Sequence, residues 1–278
     1  MKIKLICDSL CDIPKDIIDK YDIDVIPLTI IIGDKEYKDS VDITNKEFYK
    51  MIKKIDTMPK TSQATYMQFK EVFDKYKNEY AIVCITGSSQ SSGTYQSAVM
   101  AKNDTEGEIY IFDTLNLSLG SGQYVVKACE LIDENICSAK ELVNKLENLR
   151  ESVSLLFVPD SLEYLKRSGR VSVTAAAIGN MLSLKPVFSV KEGNISLVTK
   201  VRGKKNVVHN MIDMIKSKYD TLEDKVIMIG CGDNERDFKE LKKEVEENIK
   251  AKKVYLVEGG ACICSHTGPD ILAISCSN

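Results

Sequence analysis

Short apolar runs alternate with amphipathic stretches from the start of the chain. Residues 4–7, 25–32, 81–86 and 108–112 are compact apolar runs of strand length. Between or after them, residues 45–55, 68–76, 93–101, 120–135 and 139–149 repeat their apolar positions at three- and four-residue spacing, the helical period. Strands that alternate with helices predict a parallel sheet flanked by helices.

The pattern changes near Ser152. Residues 153–158 read as a strand, followed by helical pieces at 162–167 and 173–182. Residues 186–190 and 195–201 then flank Lys191-Glu192-Gly193-Asn194, a good hairpin turn. A helix (206–218), a strand (226–230), a helix (235–249) and strands at 254–257 and 271–275 complete the chain. A hairpin inside a βα series implies a mixed sheet. The expected architecture is therefore α/β in two domains, a parallel α/β/α sheet domain over 1–152 and a mixed-sheet α/β domain over 153–278. No low-complexity linker separates them, so they are expected to share a substantial interface.

With 278 residues, 44% hydrophobic and 28% charged, the chain can bury a full core without staples. The net charge of −3 argues against wholesale nucleic-acid binding, which relies on a strongly basic face. No apolar run approaches the roughly 18 to 20 residues of a membrane span, and the opening segment is too short in apolar residues for a secretory signal. A cytoplasmic location is expected. The nine cysteines fall mostly inside apolar strands and helices and form no paired CxxC knuckles, which fits small buried hydrophobes rather than a metal site.

Four polar segments interrupt the pattern where strand or loop should turn into helix. Thr61-Ser62-Gln63-Ala64-Thr65 precedes a helix, where Ser or Thr ordinarily serves as an N-cap. Thr86 to Tyr95 concentrates hydroxyls at a helix start, either a natural anion site or a flexible surface loop, and the spacing matches no nucleotide-binding loop. Asp8-Ser9 and Asp113-Thr114 end strands, where either ligand contact or turn formation is open. Ser265-His266-Thr267-Gly268-Pro269 reads as a turn entering a short helix. It holds one of the two histidines; the other, His209, sits on an amphipathic helix and is read as structural. Basic residues at 166–170 and 200–205 are a solvated rim or, through Arg170 and Arg202, a contact for phosphate or an acidic partner.

Together these segments resemble the DegV family of bacterial fatty-acid-binding proteins, essentially end to end. The resemblance rests on Asp8-Ser9 with Asp12-Ile13-Pro14, Thr61-Ser62-Gln63, Ser92 through Ala98, Tyr164 through Arg170, Leu184-Lys185-Pro186 and His266 through Pro269. It implies a long-chain fatty acid between two α/β domains, its carboxylate held at Thr61, Ser62, Ser92, Gly93, His266 and Thr267. It implies no cofactor, no metal, no catalytic residue and no nucleotide site. The partner it implies is a separate fatty acid kinase that uses ATP to make the acyl phosphate for phospholipid synthesis, with Arg170 and Arg202 at that contact. Such a carrier has no transmembrane segment and exchanges lipid by transient membrane contact. An apolar stretch including Ile178, Met181 and Leu182 is expected to wall the tail tunnel or to serve as core. Three positions depart from the family pattern: Ala64 with Thr65 after the Thr-Ser-Gln, Ser91 before Ser92, and Asp270 after Gly-Pro. The last is expected to bring a carboxylate near the anion site.

Other readings compete. A hydrolase with Ser92 as nucleophile and His266 as base has the residue types but lacks GxSxG and an acidic orienter. A DNA-binding regulator lacks a basic recognition helix. A sugar or phosphate-ester enzyme would need a small polar pocket.

Overall fold

Apolar strands β1 (Lys2–Asp8), β2 (Asp24–Ile26), β6 (Tyr80–Thr86) and β7 (Ile109–Asp113) pair in the order β2-β1-β6-β7, every neighbour parallel. The computed structural model describes residues 1–55, 57–136, 138–159, 161–171 and 184–278. The apolar tract at 25–32 is two strands, not one. Pro27 follows β2, and β3 (Thr29–Ile32) leaves that sheet to pair antiparallel with β4 (Lys35–Lys38) and β5 (Lys60–Ser62). Proline cannot donate to a ladder, so the break falls where the sequence demands it.

The second sheet is mixed, in the order β10-β9-β8-β13-β11-β12. It comprises β8 (Ser154–Val158), the hairpin β9 (Leu184–Lys191) and β10 (Asn194–Arg202), β11 (Val226–Cys231), β12 (Lys253–Glu258) and β13 (Leu272–Ser277). The turn expected at 191–194 is present, with Glu192 at φ 49° and Gly193 at φ 81°, as a tight hairpin requires. Side chains alternate across β8. Leu155 and Phe157 face the core shared with the first sheet, whereas Leu156 and Val158 face helices α8 (Val207–Lys218) and α9 (Glu235–Asn248).

Helix α5 (Leu119–Asp133) lies between the two sheets and contacts strands of both. Its Tyr124, Val125 and Cys129 pack on Leu5, Cys7 and Val83 of the parallel sheet. From the same helix, buried Gln123 donates to Ser275 Oγ at 2.9 Å and accepts from Ser277 Oγ at 2.8 Å. Both ends of this amide are satisfied by the second sheet, which makes its burial tolerable. The described cysteines are buried and free. No helix among the described residues is long and apolar enough to cross a membrane. The expected tunnel-wall residues Ile178, Met181 and Leu182, and the helix expected at 173–182, lie outside the described residues.

Candidate functional site

Thr61 is placed by sheet pairing rather than by helix capping. It sits in β5 opposite Ile30, while Thr65 caps helix α3 (Tyr66–Tyr76) in a reciprocal box with Gln68. The Thr61 hydroxyl is thereby released from capping duty. His266 comes from the last turn of α10 (Ala261–Thr267). The sequence placed a helix start here; the helix ends instead, because Gly268 (φ 85°) and Pro269 terminate it. Thr61 Oγ1 and His266 Nε2 lie 2.7 Å apart.

These side chains line one cavity of about 310 Å³. Thr61, Ser62, Ser92, Gly93, His266 and Thr267 all reach it, as do Gln63, Ser91, Ser118 and Arg170. Leu10, Leu28, Leu155, Phe157, Ile195 and Ile271 are among its apolar walls. The mixed sheet, the small antiparallel sheet, α10 and loops that follow strands of the parallel sheet contribute. The apolar wall was invisible in the sequence as a site, because Leu155 and Phe157 sit in a strand apolar on both faces.

The serine-rich loop is partly occupied by the protein itself. Ser88 Oγ and Ser91 Oγ both donate to Gly193 O, at 2.8 and 3.2 Å, and tie the loop to the β9–β10 turn. Ser92 Oγ pairs with Thr94 Oγ1 at 2.9 Å. Helix α4 (Thr94–Asn103) starts after Gly93 without a side-chain cap, so its N-terminal dipole favours negative charge at the cavity wall. Gly93 is closely approached: a Cβ there would lie 2.0 Å from Gln63 Oε1, so the Gln63 side chain, which donates to Ser97 Oγ at 2.9 Å, would have to shift. The Thr267 hydroxyl lines the cavity but donates back to Ile263 O at 3.1 Å.

Burial, with a smaller contribution from the nearby Arg170 cation, pushes the His266 imidazole down to about 4. The ring is therefore neutral at pH 7. Among the described residues nothing hydrogen-bonds to its Nδ1. A hydrolase needs Ser92 paired with His266 and a carboxylate behind the ring. Here Ser92 is paired with Thr94, and Nε2 faces Thr61.

The strand-end aspartates do turn work. Asp8 accepts from Leu10 N and Gly87 N, each at 3.0 Å, and Asp113 accepts from Leu115 N at 2.9 Å. Burial pushes the Asp8 carboxyl up to about 7. The following loop carries Leu115 (φ 47°) and Ser118 (φ 51°) in the left-handed region, a strain often held at ligand sites.

Arg170 lines the cavity mouth and its Nε donates to Ser91 O at 3.4 Å. Arg202, exposed at the end of β10, does not line the cavity. Asp270 does not reach the anion site as its position in sequence suggested. Its carboxylate pairs with Lys53 at 3.1 Å and lines a separate cavity with Lys185 and Lys204. His209 is exposed on α8 and lies 3.2 Å from Asp213.

Comparison with known proteins agrees with this architecture. A model of the DegV family, described as an uncharacterised protein family, matches residues 2–278. A DegV domain-containing protein of Caldanaerobacter subterraneus is 35% identical over 275 residues, covering 98% of each chain. A protein of Thermotoga maritima named a fatty acid-binding protein is 32% identical, covering 97% of this chain and 95% of its own. The structure of a DegV family protein from Thermus thermophilus, described by its fatty acid binding, superposes with a TM-score of 0.93 at 29% identity, each chain covered completely. With the family model spanning almost every residue, the chain belongs to the DegV family.

Proposed function

We propose that the chain binds one long-chain fatty acid in this cavity, between a unit formed by residues 1–152 and one formed by 153–278, with its carboxylate at Thr61 and Ser92. The observation that carries the reading is one cavity lined both by hydroxyls with the Thr61–His266 pair and by apolar side chains. Names given to the Thermotoga and Thermus relatives point the same way. An acid of about 16 carbons buries about 14 methylenes, a gross gain on the order of 11 kcal/mol at about 0.8 kcal/mol each. Association and ordering cost about 4 kcal/mol or more, so the tail supplies the affinity and the head group need only be satisfied and aimed.

The Thr61–His266 pair gives the head-group end a direction. For Thr61 to donate its hydroxyl proton to a carboxylate, its oxygen must accept from His266 Nε2–H. The neutral ring then carries its proton on Nε2, and the two bonds polarise each other. Neutral donors hold a carboxylate without locking it into a buried ion pair. The oxygen stays available to attack a phosphoryl group, and in this reading a separate ATP-dependent kinase supplies that group while the chain presents the acid. Arg170 at the mouth and Arg202 beyond it are the proposed contacts with that partner.

Native mass spectrometry of the purified chain tests the reading directly. One acyl chain of fatty-acid mass should accompany each protein, and delipidated protein should take up palmitate at one equivalent. Saturable uptake of neither palmitate nor a longer acid would end the proposal.

A further inference from the structure

Helix α10 spans seven residues, a length that is marginal without tertiary support. Its first N–H groups have no partner within the helix, and it has no capping side chain of its own. Three side chains from far earlier in the chain take that place. Asp12 Oδ1 accepts from Gly260 N at 2.9 Å, Asn45 Oδ1 from Ala261 N at 3.2 Å and Asp39 Oδ2 from Cys262 N at 3.3 Å. Asp12 is itself held by Ser118 Oγ at 2.5 Å. The fit is close, since a Cβ at Gly260 would lie 2.5 Å from Asp12 Oδ1.

The other end of the same helix delivers His266 to Thr61. At a rise of about 1.5 Å per residue, the clamped end and the imidazole are about 9 Å apart on one rigid rod. We propose that Asp12, Asp39 and Asn45 are positioning residues, a three-point clamp that seats α10 so that His266 meets Thr61 and the head-group end of the cavity is assembled. Its bearing on the head group rests on the fatty-acid reading; the seating of the imidazole does not.

The two histidines make the clamp measurable by NMR titration of ligand-free full-length protein. His266 is buried among the cavity walls, while exposed His209 is an internal reference. In Asn45→Ala and Asp39→Ala the loosened helix admits water to the His266 ring. Its midpoint should rise from near 4 by about one unit or more toward the free value of about 6.5. For Asp39→Ala the rise is not a charge effect: burial lifts the Asp39 carboxyl to about 6, so it is largely neutral near pH 4, and loss of any remaining negative charge would lower the midpoint. Asn45→Asp and Asp39→Asn keep an oxygen acceptor and should titrate close to wild type.

Asn45 is only half-buried and loses one bond, so Asn45→Ala decides the matter if Asp39→Ala does not fold. An unmoved His266 midpoint in folded Asn45→Ala overturns the clamp. Palmitate uptake, followed in parallel, separates the two ideas. A wild type that takes up no fatty acid while the variants shift His266 keeps the clamp and removes the ligand reading. Uptake with an unmoved midpoint does the reverse.

Discussion

Thr61 Oγ1 and His266 Nε2, 205 residues apart in sequence, are joined at 2.7 Å across the cavity. One side chain comes from a three-residue strand and the other from the last turn of a seven-residue helix. If the tail provides affinity and this pair aims the head group, Thr61→Val and Ser92→Ala should separate the two roles. Fatty-acid affinity should fall by about tenfold, the low end for one hydrogen bond to a carboxylate. Kinase-dependent acyl phosphate formation should fall by about tenfold or more at saturating acid. Equal losses in a binding titration and a phosphate-transfer assay would refute this division.

The buried imidazole predicts acid sensitivity of definite sign. The folded value of about 4 lies below the free value of 6.5, so the unfolded chain binds more protons between those limits. Stability from this group is complete above about pH 6.5 and is lost as pH falls toward 4, by on the order of 3 kcal/mol. Asp12 works in the opposite sense. Burial pushes it up from 3.8 to about 7, so its contribution is greatest below about pH 3.8 and declines as pH rises to 7. Comparing wild type with His266→Gln in urea melts isolates the first effect. The stability difference should shrink or reverse from pH 7 to pH 4, and a flat difference would exclude a buried neutral ring.

The two arginines should behave differently. Arg202 is exposed and outside the cavity, so Arg202→Ala should leave fatty-acid affinity within about twofold while weakening coupling to the kinase. Arg170→Ala should also spare tail binding, but it removes the cation that depresses His266. Its NMR midpoint should therefore rise, whereas that in Arg202→Ala should stay in place.

Gly122 on α5 offers a stability test at the backbone of Asp12. A Cβ there would lie 2.3 Å from the Asp12 carbonyl oxygen. Backbone cannot move aside cheaply, so Gly122→Ala should destabilise by about 1–3 kcal/mol or more, read as a lower urea midpoint at unchanged slope.

Much of the fold was legible because its strands and helices carry clean periods. The hairpin around Glu192-Gly193 was legible because its turn chemistry is local. The break at Pro27 is written in the sequence but masked by the continuous apolar run around it. Strands β4 and β5 carry no apolar signal: Lys35–Lys38 has a mostly polar sequence, and Lys60–Ser62 spans three residues. Their pairing with β3 is a long-range fact. The polar residues of the site could be named one by one, yet their roles depend on partners no spacing encodes. Thr61 looked like a cap until Thr65 took that duty. Asp270 looked close to the anion site until Lys53 drew it away. The supporting roles of Asp12 and Asp39 leave no local trace, because their partners are backbone amides more than 200 positions downstream.

Helix α5 carries a consequence for how the chain must be made. It belongs by sequence to the first half, yet Gln123 threads its amide into the last strand. Severing the polypeptide after Ser152 would leave one fragment with a bare oily flank and the other with stranded hydroxyls on β13. Neither piece would be self-sufficient, but mixed together they should find each other and recover the native molecule. The chain is thus built as two lobes and matures as one.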